Sequence, residues 1–289
     1  MKRFLLFLIF LIFNFKLLYP VFETSQSTTF TKSISDISAI YTTDDFINFS
    51  KNPSHLTYYN FPLYGIDYQN SFFDNMFYNI KFYYLNRFKN LGFGILFSDF
   101  ISKDENLGYS EYLLNQMFSF HIKNFLSAGF NFKFYRIVSN YLDGNGFNSD
   151  IAFSTEKIYN FAFSLRFQNF INSKFIWDNN NSQVFKRLLN LTAGYNLNFS
   201  IIKLFILVEY TPSNLKLENY TISDKNDEAI KSAVIIKIHK NFYISSGISK
   251  YEKNFGAGIS TRYFIFYFAN SLREIGNQQS ITITFKGGE

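Results

Sequence analysis

Along most of this chain apolar and polar residues exchange places at every second position. In residues 115–135, NQMFSFHIKNFLSAGFNFKFY, Phe118, Phe120 and Ile122 alternate with Ser119, His121 and Lys123. Beyond a short break, Phe130, Phe132 and Phe134 alternate with Asn131 and Lys133. Two residues per repeat marks a strand whose two faces meet different solvents. NLTAGYNLNF sets Leu191, Ala193, Tyr195, Leu197 and Phe199 against Asn190, Thr192, Gly194, Asn196 and Asn198, and SITITFK repeats the pattern near the C-terminus. The periodicity predicts strands at residues 60–69, 77–86, 91–100, 114–123, 127–137, 147–156, 160–168, 188–198, 202–210, 229–239, 242–250, 255–260, 263–270 and 279–286. That is about fourteen strands, each close to the ~10 residues a tilted strand needs to cross a bilayer.

Alternation alone does not name the second solvent, because a soluble sandwich with one wet face shows it too. The N-terminus does. Lys2 and Arg3 precede FLLFLIFLIF, an apolar run short for a spanning helix and interrupted at Asn14 and Lys16, which predicts a secretory signal over residues 1–22. Residues 23–58 are polar, Ser/Thr-rich and weakly helical, ending at Asn52-Pro53, where proline is expected to stop the helix. They read as a hatch ahead of a barrel over residues 59–289. An exported chain with long alternating strands and 40 Phe and 21 Tyr in 289 residues fits a transmembrane antiparallel β-barrel, all-β, with lipid outside and a wet lumen inside. Closure follows from the solvent, since an open sheet edge in hydrocarbon leaves backbone groups unpaired. Phe118, Phe120, Phe130, Phe132 and Phe134 then face lipid; Ser119, His121, Lys123, Asn131 and Lys133 face the lumen. Cysteine is absent from the sequence, so backbone pairing and burial hold the exported product together.

Charge changes this picture little. Lys2, Arg3 and Lys16 fall in the expected leader, leaving +3 of the formal +6, and the basic residues are scattered singly. Nucleic acid is therefore not an expected partner. The longer connections, 102–111, 169–187 and 211–228, are rich in Asn, Asp, Ser and Lys, and are expected to be the outer loops. Asp143-Gly144-Asn145-Gly146 reads as a hairpin turn rather than a calcium loop, since the later ligands are missing. His55, His121 and His239 lie on separate segments without ligand spacing, so no metal or cofactor is expected. Ser119 and His121 share a face without an acidic or amide partner, and no enzyme is expected.

Several segments resemble a known family. Asp44-Asp45-Phe46-Ile47-Asn48 followed by Asn52-Pro53-Ser54-His55-Leu56 is similar to the N-terminal signature of the PorV/PorQ family of FadL-like outer-membrane barrels. AGFNFKFYRIVSNYLDGNGFNSDIAF at 128–153, LRFQNF at 165–170 and FYFANSLREIGNQQSITITF at 266–285 resemble later segments of that family in order and pattern. Ser54-His55 stands where the family carries Ala-Gly. The resemblance implies a barrel of about fourteen strands in the bacterial outer membrane, its N-terminal segment tucked into the lumen, with Asp44, Asp45, Asn52 and Pro53 forming the hatch motif.

The residues expected to line the lumen include Lys81, Lys133, Asp150, Glu156 and Arg166, with Tyr83, Tyr135 and Tyr243. As a solvated wall these charges need no function. As a latch they pair with the hatch, including Asp44 and Asp45, or meet the head group of an amphipathic solute. Two tasks follow: passive uptake of hydrophobic or amphipathic small molecules, or a surface platform that anchors or shuttles secreted proteins. Outer-membrane lipid is an expected partner in either.

Overall fold

In the computed structural model the described residues are 28, 34, 37, 49–59, 62–71, 76–104, 108–123, 125–155, 158–171, 174–212, 216–217, 220–221, 229–239, 241–273 and 276–287. The expected signal over 1–22, Asp44, Asp45 and Glu156 lie outside them. A 3-10 helix, Pro53–Tyr58, precedes the strands β1 Leu63–Ser71, β2 Phe77–Phe88, β3 Leu91–Ser102, β4 Ser110–Lys123, β5 Leu126–Val138 and β6 Gly144–Thr155. Then come β7 Phe161–Gln168, β8 Lys174–Trp177, β9 Ser182–Val184, β10 Leu188–Asn198, β11 Ile202–Thr211, β12 Lys216–Leu217 and β13 Tyr220–Thr221. The last are β14 Ala229–Ile238, β15 Phe242–Ile248, β16 Glu252–Ser260, β17 Phe264–Arg273 and β18 Gly276–Lys286.

β1–β7, β10, β11 and β14–β18 form a closed antiparallel barrel of 14 strands. The seam is β1 against β18, running from Leu63 opposite Lys286 to Ser71 opposite Gln278, so the first and last strands close the ring. Each strand predicted from the alternation is present, with β4, β6, β16 and β18 starting three or four residues earlier, at Ser110, Gly144, Glu252 and Gly276. No helix among the described residues is long and apolar enough to cross a membrane; crossing falls to the strands.

The pleat sorts the side chains as lipid and lumen require. Phe120 and Phe134 are 40% and 47% exposed on the outside, while Asn131 and Lys133 are fully enclosed within. Outward rings meet across neighbouring strands, Phe93 with Phe118 at 5.5 Å and Phe118 with Phe130 at 5.3 Å between centroids, the cross-strand pairs that steady a sheet. The strand ends define two rims. At one, strands are joined by short turns, such as residues 89–90, 199–201 and 261–263; at the other lie the longer connections, together with two short ones at 249–251 and 274–275.

Two local expectations are corrected. Asn52-Pro53 opens a helix instead of ending one: Asn52 Oδ1 accepts from the Ser54 N–H at 3.1 Å as the N-cap, and Pro53 takes a first-turn position where it needs no N–H partner. The turn expected at 143–146 lies about four residues earlier, at 139–143. Ser139 N–H donates to Asp143 Oδ1 at 3.0 Å, while Gly144 and Gly146 pair in β6 with Trp177 and Phe175 of β8. β8 and β9 form a hairpin inside the connection read as loop, standing on the upper end of β6 where β7 has already ended.

Candidate functional site

The lumen holds the described residues of the chain's own N-terminal segment. Ile34 and Ile37 are fully buried in one cluster with Phe205, Leu207, Ile235 and Tyr243, lumen-facing side chains of β11, β14 and β15. Phe49, Leu56 and Tyr59 join a second cluster with Tyr83, Leu85, Leu96 and Met117 from β2, β3 and β4. The 3-10 helix is fastened between these contacts. Asn52 Nδ2 donates to Ser154 Oγ at 3.1 Å and to Ser164 Oγ at 3.2 Å, bridging β6 and β7. Ser54 Oγ meets Ser154 Oγ. Thr57 Oγ1 lies 3.0 Å from Ser127 Oγ, which in turn sits 2.8 Å from His121 Nδ1. His121 and Ser127 thus serve the seat of the helix.

Glycines clear that seat. A Cβ at Gly129 would come within 2.6 Å of Ser54 Cα, and one at Gly92 within 2.6 Å of Leu56 Cβ. His55 is enclosed in the same seat with neither ring nitrogen hydrogen-bonded, and burial pushes its pKa down to about 3.

The predicted lumen charges are brought together only in part. Lys133 Nζ lies 2.6 Å from Asp150 Oδ2, and Arg166 Nη2 2.5 Å from the same oxygen. The other oxygen, Oδ1, accepts from the Asn169 N–H at 2.9 Å. Asn131 holds this group from its own strand, its Oδ1 accepting from the Asp150 N–H at 2.7 Å. Lys81 stands apart on β2, 3.3 Å from Asp67 and 2.9 Å from Gln69 Oε1. A further group, Glu209 with Asn190, Thr192 and Lys231, was not anticipated. Lys81, Lys133, Arg166 and Lys231 are therefore each answered by a carboxylate of a neighbouring strand, an arrangement that offsets the cost of enclosing the charges. Tyr83, Tyr135 and Tyr243 all point inward and are buried.

At the long-loop rim the β8–β9 hairpin folds Phe175 over Gly144 and Gly146. Phe175 meets Trp177 at 4.7 Å and Phe185 at 6.4 Å, and Tyr135 meets Phe185 at 5.2 Å between centroids. With Ile137 and Leu113 these rings make an aromatic ceiling over the lumen. On the outer face of β6, β7, β10 and β11 lies an apolar groove of about 490 Å³, lined by Phe153, Phe163, Leu165, Leu191, Val208 and Tyr210 among others. It lies over the wall patch whose inner side carries Ser154 and Ser164, the anchors of Asn52. The seam beneath is short: β6 and β7 pair only from Ile151 opposite Phe167 to Ser154 opposite Ser164.

A closed 14-strand antiparallel barrel with a lipid-facing aromatic exterior and a polar, charge-paired lumen defines the class of integral outer-membrane barrels. Within that class the fold is FadL-like. The crystal structure of the Pseudomonas putida toluene transporter TodX is similar, with a TM-score of 0.61 at 9% identity over 92% of this chain and 99% of that one. A Pseudomonas aeruginosa FadL homologue has a TM-score of 0.59 at 7% identity, over 90% and 98%. No family model and no curated protein matches the sequence; at these identities it is the fold that is shared.

Proposed function

We propose that this chain is a PorV/PorQ-type member of the FadL-like barrels, a non-enzymatic channel that admits hydrophobic or amphipathic small molecules passively across the outer membrane. What supports this reading is a lumen that holds Ile34, Ile37 and the 3-10 helix, fastened to the wall through Asn52, with aromatic side chains at its outer rim. Phe175, Trp177 and Phe185 offer rings to an apolar solute at the outer rim. Below them Lys81, Lys133, Arg166 and Lys231 are each paired with a carboxylate, which lowers the field these charges present to an ion. Displacing the Asn52–Ser154–Ser164 latch would open the path past the plug, and the short β6–β7 seam with its outer apolar groove suits release into the lipid. No energy-coupling motif is needed where a gradient drives flow. TodX, named as a toluene transporter, supports an apolar solute class.

The test is reconstitution. Proteoliposomes should take up toluene or a labelled fatty acid faster than empty vesicles and discriminate against glucose, and deleting residues 33–50 should raise conductance in planar bilayers. Equal rates for glucose and toluene would remove the hydrophobic specificity. A stoichiometric secreted protein held through the 169–187 connection, with no solute flux, would favour the platform role instead.

A further inference from the structure

The short-turn rim carries a pattern that the plugged lumen does not use. Lys89 and Arg262 are exposed in two of its turns, and Lys203 is exposed at the start of β11. Each of the first two sits beside an exposed ring: Lys89 Nζ lies 5.7 Å from the centroid of Phe88, and the Arg262 guanidinium 5.7 Å from that of Tyr263. Tyr159 is 91% exposed, and Phe199, Ile201 and Phe125 are exposed at the same rim. The sequence adds Lys157 and Lys240 to these turns, and their one acidic residue is Glu156. The opposite rim has one such pair, Lys250 Nζ 5.1 Å from the centroid of Tyr251, but it is mixed in sign: its connections carry Asp74, Asp104, Glu105, Asp143, Asp178 and Asp224, among others, beside their lysines.

The height of the wall decides what that rim meets. A strand tilted by ~40° climbs roughly 2.5 Å per residue, so an apolar band ~25 Å tall needs about ten residues. β2 and β3, which carry the Lys89 turn, have 12 residues each, and β16 and β17, which carry the Arg262 turn, have 9 and 10, spans of roughly 23 to 30 Å. Their turns therefore end at the head groups and do not project far into water. Bare rings at that level suit an interface, and cations interleaved with them suit the phosphates of anionic lipids. Short turns are periplasmic in outer-membrane barrels, so the leaflet concerned is the inner, phospholipid one.

We propose that the short-turn rim is a docking collar for anionic phospholipid head groups, with Lys89 and Arg262 as its principal phosphate contacts and Phe88 and Tyr263 as its membrane anchors. The occupant is a lipid and not an acidic protein, because the basic side chains are spread around the rim among apolar ones and are not gathered into one patch.

The full chain, reconstituted into phosphatidylethanolamine vesicles doped with phosphatidylglycerol and extracted in mild detergent, is read by native mass spectrometry. Phosphatidylglycerol should be retained above its doped share, and the excess should fall by at least about fivefold in each of Lys89→Glu and Arg262→Glu, which replace a cation by an anion. Raising the salt concentration should strip the excess from the unaltered protein as well, a measurement that needs no variant. Arg136→Glu, at the opposite rim, should leave it unchanged. If the double variant fails to fold, Lys89→Gln with Arg262→Gln replaces it. Undiminished retention in the folded double variant, equal loss in Arg136→Glu, or retention of an acidic periplasmic protein without lipid preference each overturns the proposal.

Discussion

Ser54 and Gly129 touch backbone to backbone across the lumen, so closely that a methyl group at 129 would stand within 2.6 Å of Ser54 Cα. The contact joins the 3-10 helix to the barrel wall near the start of β5. Gly129→Leu should therefore lift the helix at 53–58 from its seat while leaving the barrel closed. Single-channel conductance should rise well above that of the unaltered protein, with heat-modifiable gel mobility retained. Unchanged conductance would show that the seat does not restrict the lumen.

Asn52 caps the helix and ties it to β6 and β7 with one side chain. Asn52→Leu removes the cap and both serine contacts, a loss of about 1–2 kcal/mol by the usual cost of a missing cap. Amide exchange at residues 54–58 should quicken by about tenfold or more. The β-strand amides should keep their protection, and a uniform acceleration would point to damage of the whole barrel.

His55 makes the seat sensitive to acid. Its imidazole ionises near 6.5 when free and is held down to about 3 by burial. Between those values the undocked segment binds a proton that the docked one refuses, so docking is full at neutral pH and weakens as pH falls through that window. Conductance should rise on acidification from neutral pH to about pH 4, and His55→Gln should flatten the response.

The Asp150 carboxylate holds two cations. Asp150→Ala leaves Lys133 and Arg166 enclosed without their shared partner and should cost about 3–5 kcal/mol, the usual penalty for breaking a buried pair. Replacing Lys133 by Met, Asp150 by Leu and Arg166 by Met together should cost much less. Urea unfolding in detergent micelles separates the two; a mild single variant would mean that water already reaches the group.

What the sequence disclosed was whatever repeats along the chain. Phe130, Phe132 and Phe134 against Asn131 and Lys133 declare two faces from their neighbours alone, and that suffices for the barrel strands. Properties set by what lies across the lumen left no local mark. Lys81 stood out as an interior charge, but Asp67 as its partner depends on register, which places the two directly opposite on β1 and β2. Gly129 and Gly92 are ordinary strand glycines until the 3-10 helix is laid on them. The β8–β9 hairpin escaped because KFIW and SQV are too short to display a period. Ser154 and Ser164 gain their role only from the distant Asn52.

The wall of this barrel is uneven in height. β2 to β6 have 12 to 14 residues, whereas β15 has 7. At roughly 2.5 Å of climb per residue, β15 covers about 18 Å, well short of a ~25 Å band. Lipid beside β15 and β16 must be compressed, or the cylinder must lean until its short flank fits, each at a fraction of a kcal/mol per Å of mismatch. The bilayer beside β15 is then thinner than beside β2 to β6, and spin labels placed at Phe242 and at Phe88 should report different immersion depths although both sit at the same rim.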